Sequence, residues 1–304
     1  MVDEEMERRM PLGEMSIHRA AEHLLTAGGK RLRPALLLLI AESLGRPPEE
    51  TLPPALSIEV THSFTLIHDD VMDDDPLRRG EPSVHKKWDV PTAILTGDYL
   101  YSKAFETALE TDAPNPTLNR VMEILSATCT RICEGQALDV ELSTAESVSE
   151  EEYVRMIELK TGVLFAAATG IGALVAGNDA YDESYDYGLK IGKAFQIQDD
   201  VLDLVAESDD LGKTRASDLF EGKNTLVTIH ARSQGVDTTL SRDATEQEVD
   251  AKVEEIREAG SIRYARECAE ALVNEGKKDL KALPESEARD ALEGLADYLV
   301  GRTH

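Results

Sequence analysis

Two acidic stretches set inside apolar sequence constrain this chain more than any other feature. The first runs from Leu66 to Gly80 as LIHDDVMDDDPLRRG, and the second from Phe195 to Asp203 as FQIQDDVLD. Residues four apart in an α-helix share a face, so Asp69 and Asp73 project side by side, as do Asp199 and Asp203. Carboxylates so close repel one another, and apolar neighbours such as Leu66, Ile67 and Val71 add a desolvation penalty that a divalent cation would relieve. Hard oxygen ligands of this kind suit Mg²⁺, which keeps waters and recruits phosphate oxygens from a substrate.

The bland alternative is a solvated acidic face, since Asp and Glu make up 59 of the 304 residues. The setting argues against it: both stretches lie in apolar runs, and each is followed by basic residues able to hold phosphate. Aromatic residues are only 5 % and good helix formers dominate, so the expected class is all-α. No Pro-, Gly- or Ser-rich linker divides the chain, which reads as a single domain over residues 1–304 with residues 1–14 frayed. A formal charge of −27 argues against nucleic-acid or anionic-membrane partners. So large an acidic excess resembles proteins adapted to high salt, where screening relieves self-repulsion. Three cysteines, Cys129, Cys133 and Cys268, make no disulfide framework and read as small core residues in a reducing cytosol. The longest apolar stretch, Ala35 to Ala41, is too short to span a bilayer, so a cytoplasmic protein without membrane insertion is expected.

Along the chain, a short helix from Met15 to Leu25 precedes GGKRLRP (Gly28 to Pro34). Its glycines end one helix, Pro34 opens the next, and Lys30, Arg31 and Arg33 cluster at the new N-terminus as an anion site or a basic surface loop. A helix from Leu52 runs through Ile58, Val60, Phe64 and Ile67 into the first Asp cluster, with Pro76 as its stop and Arg78, Arg79 and Gly80 directly behind. His62 lies nearly two turns before Asp69, on roughly the same face. Further helices are expected over Pro91–Thr111 and Thr117–Leu142, the latter bearing Gln136 and Asp139. Ser149 and Glu152 have capping-box spacing and start a helix to Val175, whose interior Gly162 marks a kink, a close ligand approach or ordinary packing. The second Asp cluster sits on a helix from Asp182 to Val205. A polar loop with Lys213, Asp218 and Lys223 follows, and three charged amphipathic helices complete the chain, the first capped by Thr245 and Glu248.

With these pieces in order, the stretch from Gly28 to Thr228 resembles the trans-isoprenyl diphosphate synthases of the polyprenyl synthetase family. It carries GGKRLRP, HDDVMD…RRG, GQALD, KTG and FQIQDDVLD followed by GK…DL…GKNT, in family order. The resemblance implies an isoprenoid-synthase-type bundle of antiparallel helices around a central cavity, paired as a homodimer, with the two Asp-rich helices facing each other. It implies three Mg²⁺ ions per active site: two on Asp69 and Asp73, with Asp70 in the same cluster, and a third on Asp199 with Asp200 and Asp203 assisting. It further implies that Arg78, Lys160, Thr161, Gln196, Lys213 and Lys223 hold an allylic diphosphate, and that Lys30, Arg33, His62 and Arg79 hold isopentenyl diphosphate. The chemistry would be ionisation of the allylic C–O bond, attack by the isopentenyl double bond and loss of a proton, with Asp69, Asp73, Asp199, Lys160 and Lys213 as the catalytic set.

Phe64, five residues and about 7.5 Å of helix rise before Asp69, takes the position of the floor that stops chain growth, with Thr65 beside it. That pattern is similar to the archaeal geranylgeranyl diphosphate type; a farnesyl or bifunctional farnesyl/geranylgeranyl synthase is the alternative. Two departures stand out, Asp89 in place of a frequent glycine and Val227 in place of the usual proline. Three other readings compete: a non-catalytic partner subunit, a phosphohydrolase built on His68 and Asp69, and a terpene cyclase. The first expects a lost Asp motif, the second more histidine ligands, and the third neither GGKRLRP nor RRG.

Overall fold

A computed structural model describes residues 1–9, 13–205, 215–241 and 243–301. Its elements are α1 (Val2–Arg9), α2 (Ser16–Thr26), α3 (Leu32–Ser43), α4 (Leu52–Met72), a hairpin of β1 (Leu77–Arg78) and β2 (Glu81–Pro82), α5 (Val84–Lys87), α6 (Val90–Leu109), α7 (Asn115–Ser143) and α8 (Glu150–Ile157). A π-turn over Glu158–Gly162 leads into α9 (Val163–Val175) and α10 (Tyr181–Val205). Then come α11 (Ser217–Glu221), α12 (Leu226–Ser233), α13 (Glu246–Glu258), α14 (Ser261–Asp279) and α15 (Glu287–Gly301). The expected all-α class holds, and the helix bounds fall within a few residues of those read from periodicity and caps.

The chain divides into two compact units. Unit 1 comprises Met1–Cys129, Ala167–Tyr185 and Ala282–Leu292. Its centre is α4 against α6, flanked by α2 and α3. Leu56, Val60, Phe64 and Ile67, spaced by three or four residues, turn one face of α4 into a core with Ala93, Leu100 and Ala104 of α6 and Leu24 and Leu25 of α2. Close helix contact needs small residues, and a Cβ at Gly97 of α6 would overlap the His68 ring.

The expectation of a frayed N-terminus is corrected: Val2–Arg9 forms α1, packed on α4. Met6 is buried, Glu5 receives Arg8 Nε at 2.8 Å, and Asp3 receives Arg31 Nε at 2.8 Å. A buried apolar side chain and a tie to a distant arginine supply what charge density alone does not reveal.

Unit 2 comprises Thr130–Ala166, Asp186–Lys281 and Glu293–His304. Capping boxes at Ser149/Glu152 and Thr245/Glu248 start α8 and α13 as their spacing predicts, and Thr225 with Thr228 adds a third at α12. The interior glycine of the KTG motif has a packing cause. Gly162 closes the π-turn, and a Cβ on Gly192 of α10 would lie 2.8 Å from the Gly162 Cα, so two backbones meet where neither residue carries a side chain. On the other side of the π-turn, a Cβ on Gly135 of the GQALD motif would fall 2.6 Å from the Leu159 carbonyl carbon.

Of the cysteines, all free, only Cys129 is a core residue; Cys133 is exposed and Cys268 half-buried, which corrects the uniform core reading. Among the described residues one helical stretch, Glu150–Val175, is long and apolar enough to cross a membrane, and 83 % of its most apolar window is buried in the protein.

Candidate active site

In unit 1 the first Asp-rich motif sits where α4 ends. The helix stops at Met72, before Pro76 is reached, with Asp73 as its cap and Asp73 N donating to the Asp69 carbonyl at 2.9 Å. Asp69 and Asp73 are thus one turn apart; Asp73 is exposed and Asp69 half-buried. Asp74, at φ +56°, reverses the chain into the hairpin, whose two-residue turn is Arg79 (φ +55°) and Gly80 (φ +80°) between Arg78↔Glu81. Two successive positive φ values are what a type I′ turn demands, and Arg79 bears that strain without being glycine.

The turn aims Arg78 and Arg79 in different directions. Arg78 Nε donates to Asp70 Oδ1 at 2.7 Å, and its Nη2 reaches the same oxygen and, at 3.2 Å, Asp75. Asp70 is 1 % exposed; its Oδ2 has no partner among the described residues, and burial pushes its pKa up despite Arg78. Arg79 donates to the Gly28 carbonyl, and a Cβ on Gly29 would lie 2.9 Å from its Nη2. Burial pulls the Arg79 pKa down. His62 stands among these groups: burial first, then the charges of Arg33, Arg79, Arg78 and Arg31, hold its imidazole well below the usual range and therefore neutral. The positive charges of four arginines acting on one neutral histidine make an electrostatic setting suited to an anion. Lys30 is exposed in the loop that precedes α3.

In unit 2 the second motif lines a cavity of about 210 Å³, which is far beyond the ~10–15 Å³ one water needs. Lys160, Thr161, Gln196, Asp199, Asp200 and Lys223 all face it, together with Tyr153, Asp139 and Asp218. The π-turn delivers two of them: Lys160 Nζ meets Asp139 Oδ2 at 2.6 Å, and Thr161 Oγ1 donates to Gln196 Oε1 at 2.8 Å. Gln196 Nε2 in turn donates to Asp200 Oδ1 at 2.9 Å, and Tyr153 OH donates to Asp200 Oδ2 at 2.6 Å. Burial, reinforced by Asp218, pushes the Asp200 pKa up to about 8 even against those two donors. Asp203 accepts from Ser217 Oγ at 2.7 Å and from the Asp218 amide at 3.0 Å, tying α10 to α11. Lys223 Nζ lies 2.8 Å from Glu221 and 3.7 Å from Asp218.

The residues expected from the sequence therefore gather in two sets, Lys30, Arg33, His62, Asp69, Asp70, Asp73, Arg78 and Arg79 in unit 1, and Lys160, Thr161, Gln196, Asp199, Asp200, Asp203 and Lys223 in unit 2. Phe64 and Thr65 lie on α4 between His62 and Asp69, about one turn before the Asp cluster. Lys213 falls outside the described residues. Three expected metal ligands, Asp70, Asp200 and Asp203, have side chains turned into protein hydrogen bonds.

Two contributors escaped the sequence reading. Tyr153 orients Asp200, and Glu59 accepts from Arg31 Nη1. A lone charged residue in the mostly apolar window Ala55–Val60 was the available signal for Glu59. Asp89, the departure from family glycine, caps α6 by accepting from Thr92 N at 2.7 Å.

The donor chemistry suits a hard divalent ion that the protein holds only in part. Among the described residues no three His, Cys, Asp or Glu side chains converge into a ready-made cage. Asp69 with Asp73, and Asp199 at the cavity wall, offer carboxylate oxygens to an ion completed by water and phosphate oxygens.

Comparison with known proteins agrees with this arrangement. Residues 14–262 match the family model for polyprenyl synthetase. The chain is 50 % identical to a geranylfarnesyl diphosphate synthase of Natronomonas pharaonis, covering all of this chain and 95 % of that one. Its fold superposes on a geranylgeranyl pyrophosphate synthetase from Geoglobus acetivorans with a TM-score of 0.93 at 40 % identity, over 99 % of this chain and 97 % of the other. It also superposes on a Caulobacter crescentus polyprenyl synthase complexed with calcium and isoprenyl diphosphate, TM-score 0.91 at 34 % identity, over 100 % and 94 %. With its motifs, its helices and these relatives in agreement, the chain belongs to the polyprenyl synthetase family and is a prenyltransferase with the all-α isoprenoid synthase fold, an isoprenyl diphosphate synthase.

Proposed function

We propose that this enzyme condenses isopentenyl diphosphate with allylic diphosphates in a Mg²⁺-dependent reaction, with geranylgeranyl diphosphate as the main product. The observation that carries the reading is the end of α4, where Asp69 and Asp73 stand one turn apart above the buried Phe64, with Arg78 and Arg79 in the hairpin that follows and a neutral His62 on the same helix. Asp69, Asp73 and Asp199 are the ligands of three Mg²⁺ ions, while Asp70, Asp200 and Asp203 orient Arg78, Gln196 and α11. Bound Mg²⁺ neutralises the charge that builds on the departing pyrophosphate. Lys160, Thr161, Gln196, Lys213 and Lys223, with Arg78, hold the allylic diphosphate and stabilise the same charge as the C–O bond ionises. Lys30, Arg33, His62 and Arg79 hold isopentenyl diphosphate, whose double bond attacks the allylic carbon. Neutral His62 can donate to a phosphate oxygen without adding to the crowded positive charge. The proton lost in the last step goes to pyrophosphate, so no side-chain nucleophile is required.

Product length is assigned to Phe64. It is 6 % exposed and packs edge-to-face on Tyr101 of α6 at 5.2 Å, a geometry that stiffens a large side chain in place. Thr65 is small and its hydroxyl is returned to the His62 carbonyl at 2.8 Å, so it adds little bulk. The likeness to a geranylfarnesyl synthase favours a second reading, a product one isoprene unit longer. Incubation with Mg²⁺, labelled isopentenyl diphosphate and each allylic primer separates the two. Phe64→Ala should lengthen the products by at least one unit; an unchanged profile removes Phe64 as the floor.

We further propose that the two units act as one catalytic domain, a reading supported by the family match running from residue 14 to 262 through both. A homodimer is supported by the outer face of α6, where Val90, Ile94, Leu95 and Leu109 are exposed. Free cysteines suit a reducing cytoplasm.

A further inference from the structure

The loop before α3 is held in an unfavourable backbone by one side chain. Arg31, the cap residue of α3, has φ +47° and ψ +35°, a left-handed conformation that a non-glycine residue adopts only under strain. Its guanidinium is engaged at three points. Nε donates to Asp3 of α1 at 2.8 Å, Nη2 to the Leu25 carbonyl of α2 at 2.7 Å, and Nη1 to Glu59 of α4. Arg31 is therefore engaged by protein groups on three elements, in the same loop as Lys30 and two residues before Arg33.

Glu59 is the unusual partner. It is 2 % exposed, stands in the buried first half of α4, and lies one turn before His62. Its charge acts on Arg79 as well as on Arg31. Arg79 in turn meets the same loop through the Gly28 carbonyl and the bare face of Gly29. One buried carboxylate thus underlies both the loop that carries Lys30 and Arg33 and the turn that carries Arg79.

We propose that Glu59, acting through Arg31, is a positioning residue for the isopentenyl diphosphate half-site. It fixes the left-handed loop so that Lys30, Arg33 and Arg79 converge, and it never touches substrate. The proposal rests on the assignment of that half-site given above.

Two physical effects predict opposite signs for its removal. Glu59 adds negative charge beside a cationic site, so through-space electrostatics alone would make Glu59→Gln tighten an anion. Loss of the anchor would instead release Arg31, scatter the loop and weaken binding. The positioning role predicts that Glu59→Gln and Arg31→Met each raise KM for isopentenyl diphosphate by about tenfold, a loss of about 1.4 kcal/mol of binding. KM for the allylic substrate should stay within about twofold, and the double variant should be no worse than the worse single variant, because the two residues act as one unit.

Steady-state kinetics in both substrates at fixed salt test this, with Lys30→Ala as the control for the half-site and thermal unfolding to exclude misfolding. Should Glu59→Gln prove too unstable to assay, Arg31→Lys takes its place: it keeps the charge but not the three-way fork, and the same selective rise in KM is expected. A lowered or unchanged KM for isopentenyl diphosphate, or an equal rise for both substrates, overturns the proposal. If Lys30→Ala leaves that KM unmoved, the half-site assignment itself fails; if Lys30→Ala raises it and Glu59→Gln does not, only the positioning role fails.

Discussion

The two Asp-rich motifs share a sequence pattern but sit in opposite environments. In unit 1 Asp73 is exposed and Asp69 half-buried at the end of α4, while Asp70 is drawn inward to Arg78. In unit 2 the carboxylates of Asp200 and Asp203 are buried and both oxygens of each are hydrogen-bonded, leaving Asp199 as the half-buried member facing the cavity. The cations differ as well. Rigid arginine forks crowd the first motif, whereas flexible lysines, Lys160 and Lys223, serve the second. An exposed carboxylate at a helix end can exchange water for metal and phosphate readily. A buried network holds one ligand in register at the cost of adaptability.

The sharpest test of that contrast is activity. Asp69→Ala and Asp199→Ala should each lower kcat about 10³-fold or more, the several kcal/mol expected when charge stabilisation at the leaving group is lost. Circular dichroism should show both variants folded, and retained turnover in either would remove that residue from the catalytic set.

Next in size are the glycines beneath the two motifs. Gly192→Ala would drive a Cβ to 2.8 Å from a backbone atom of Gly162, so a loss of about 1–3 kcal/mol in unfolding free energy is expected from overpacking. At Gly97 the three atoms nearest an added Cβ belong to the His68 ring, a side chain that can turn away, so Gly97→Ala should cost less. Chemical denaturation of both variants measures the difference, and a reversed order would show that the α6 contact is the stiffer of the two.

Tyr153→Phe removes the donor to Asp200 Oδ2 in the buried network. A loss of about 1 kcal/mol is expected in the same denaturation experiment, with kcat falling through a displaced Gln196. Unchanged stability and kcat would mean that Asp200 does not depend on the phenol.

The smallest effect is a pH dependence confined to unit 1. The His62 pKa is depressed in the folded state, by burial and then by Arg33 and its neighbours, so below the unfolded value near 6.5 the unfolded chain binds the extra proton. Folded-state stability is therefore complete above about pH 6.5 and declines as pH falls below it. Melting curves at pH 7.5 and 5.5 should show the wild type losing more stability on acidification than His62→Gln. Equal losses would mean that His62 charges as easily in the fold as outside it.

Much of this was legible along the chain. Capping boxes, helix bounds and the five ordered motifs depend on neighbours three or four residues away, and such spacing survives into the fold almost unaltered. The expected frayed N-terminus failed because Met6 and the Asp3–Arg31 pair rely on a residue 28 positions from Asp3. The assignment of metal-ligand roles to Asp70, Asp200 and Asp203 rested on pattern alone. Their partners Arg78, Tyr153 and Ser217 lie between eight and forty-seven residues away, beyond any helical period. Gly162 could be marked as special from its place in a helix, yet whether ligand or backbone filled the space waited on Gly192.

From the sequence alone came the all-α class, the family and the carboxylate faces, because each is written in local periodicity and in the order of short motifs. Tertiary structure decided that Asp70, Asp200 and Asp203 take hydrogen bonds from the protein, that KTG forms a π-turn, and that Glu59 is tied to Arg31. Those outcomes depend on desolvation and on donors brought in from distant segments, and neither quantity exists until the chain has folded.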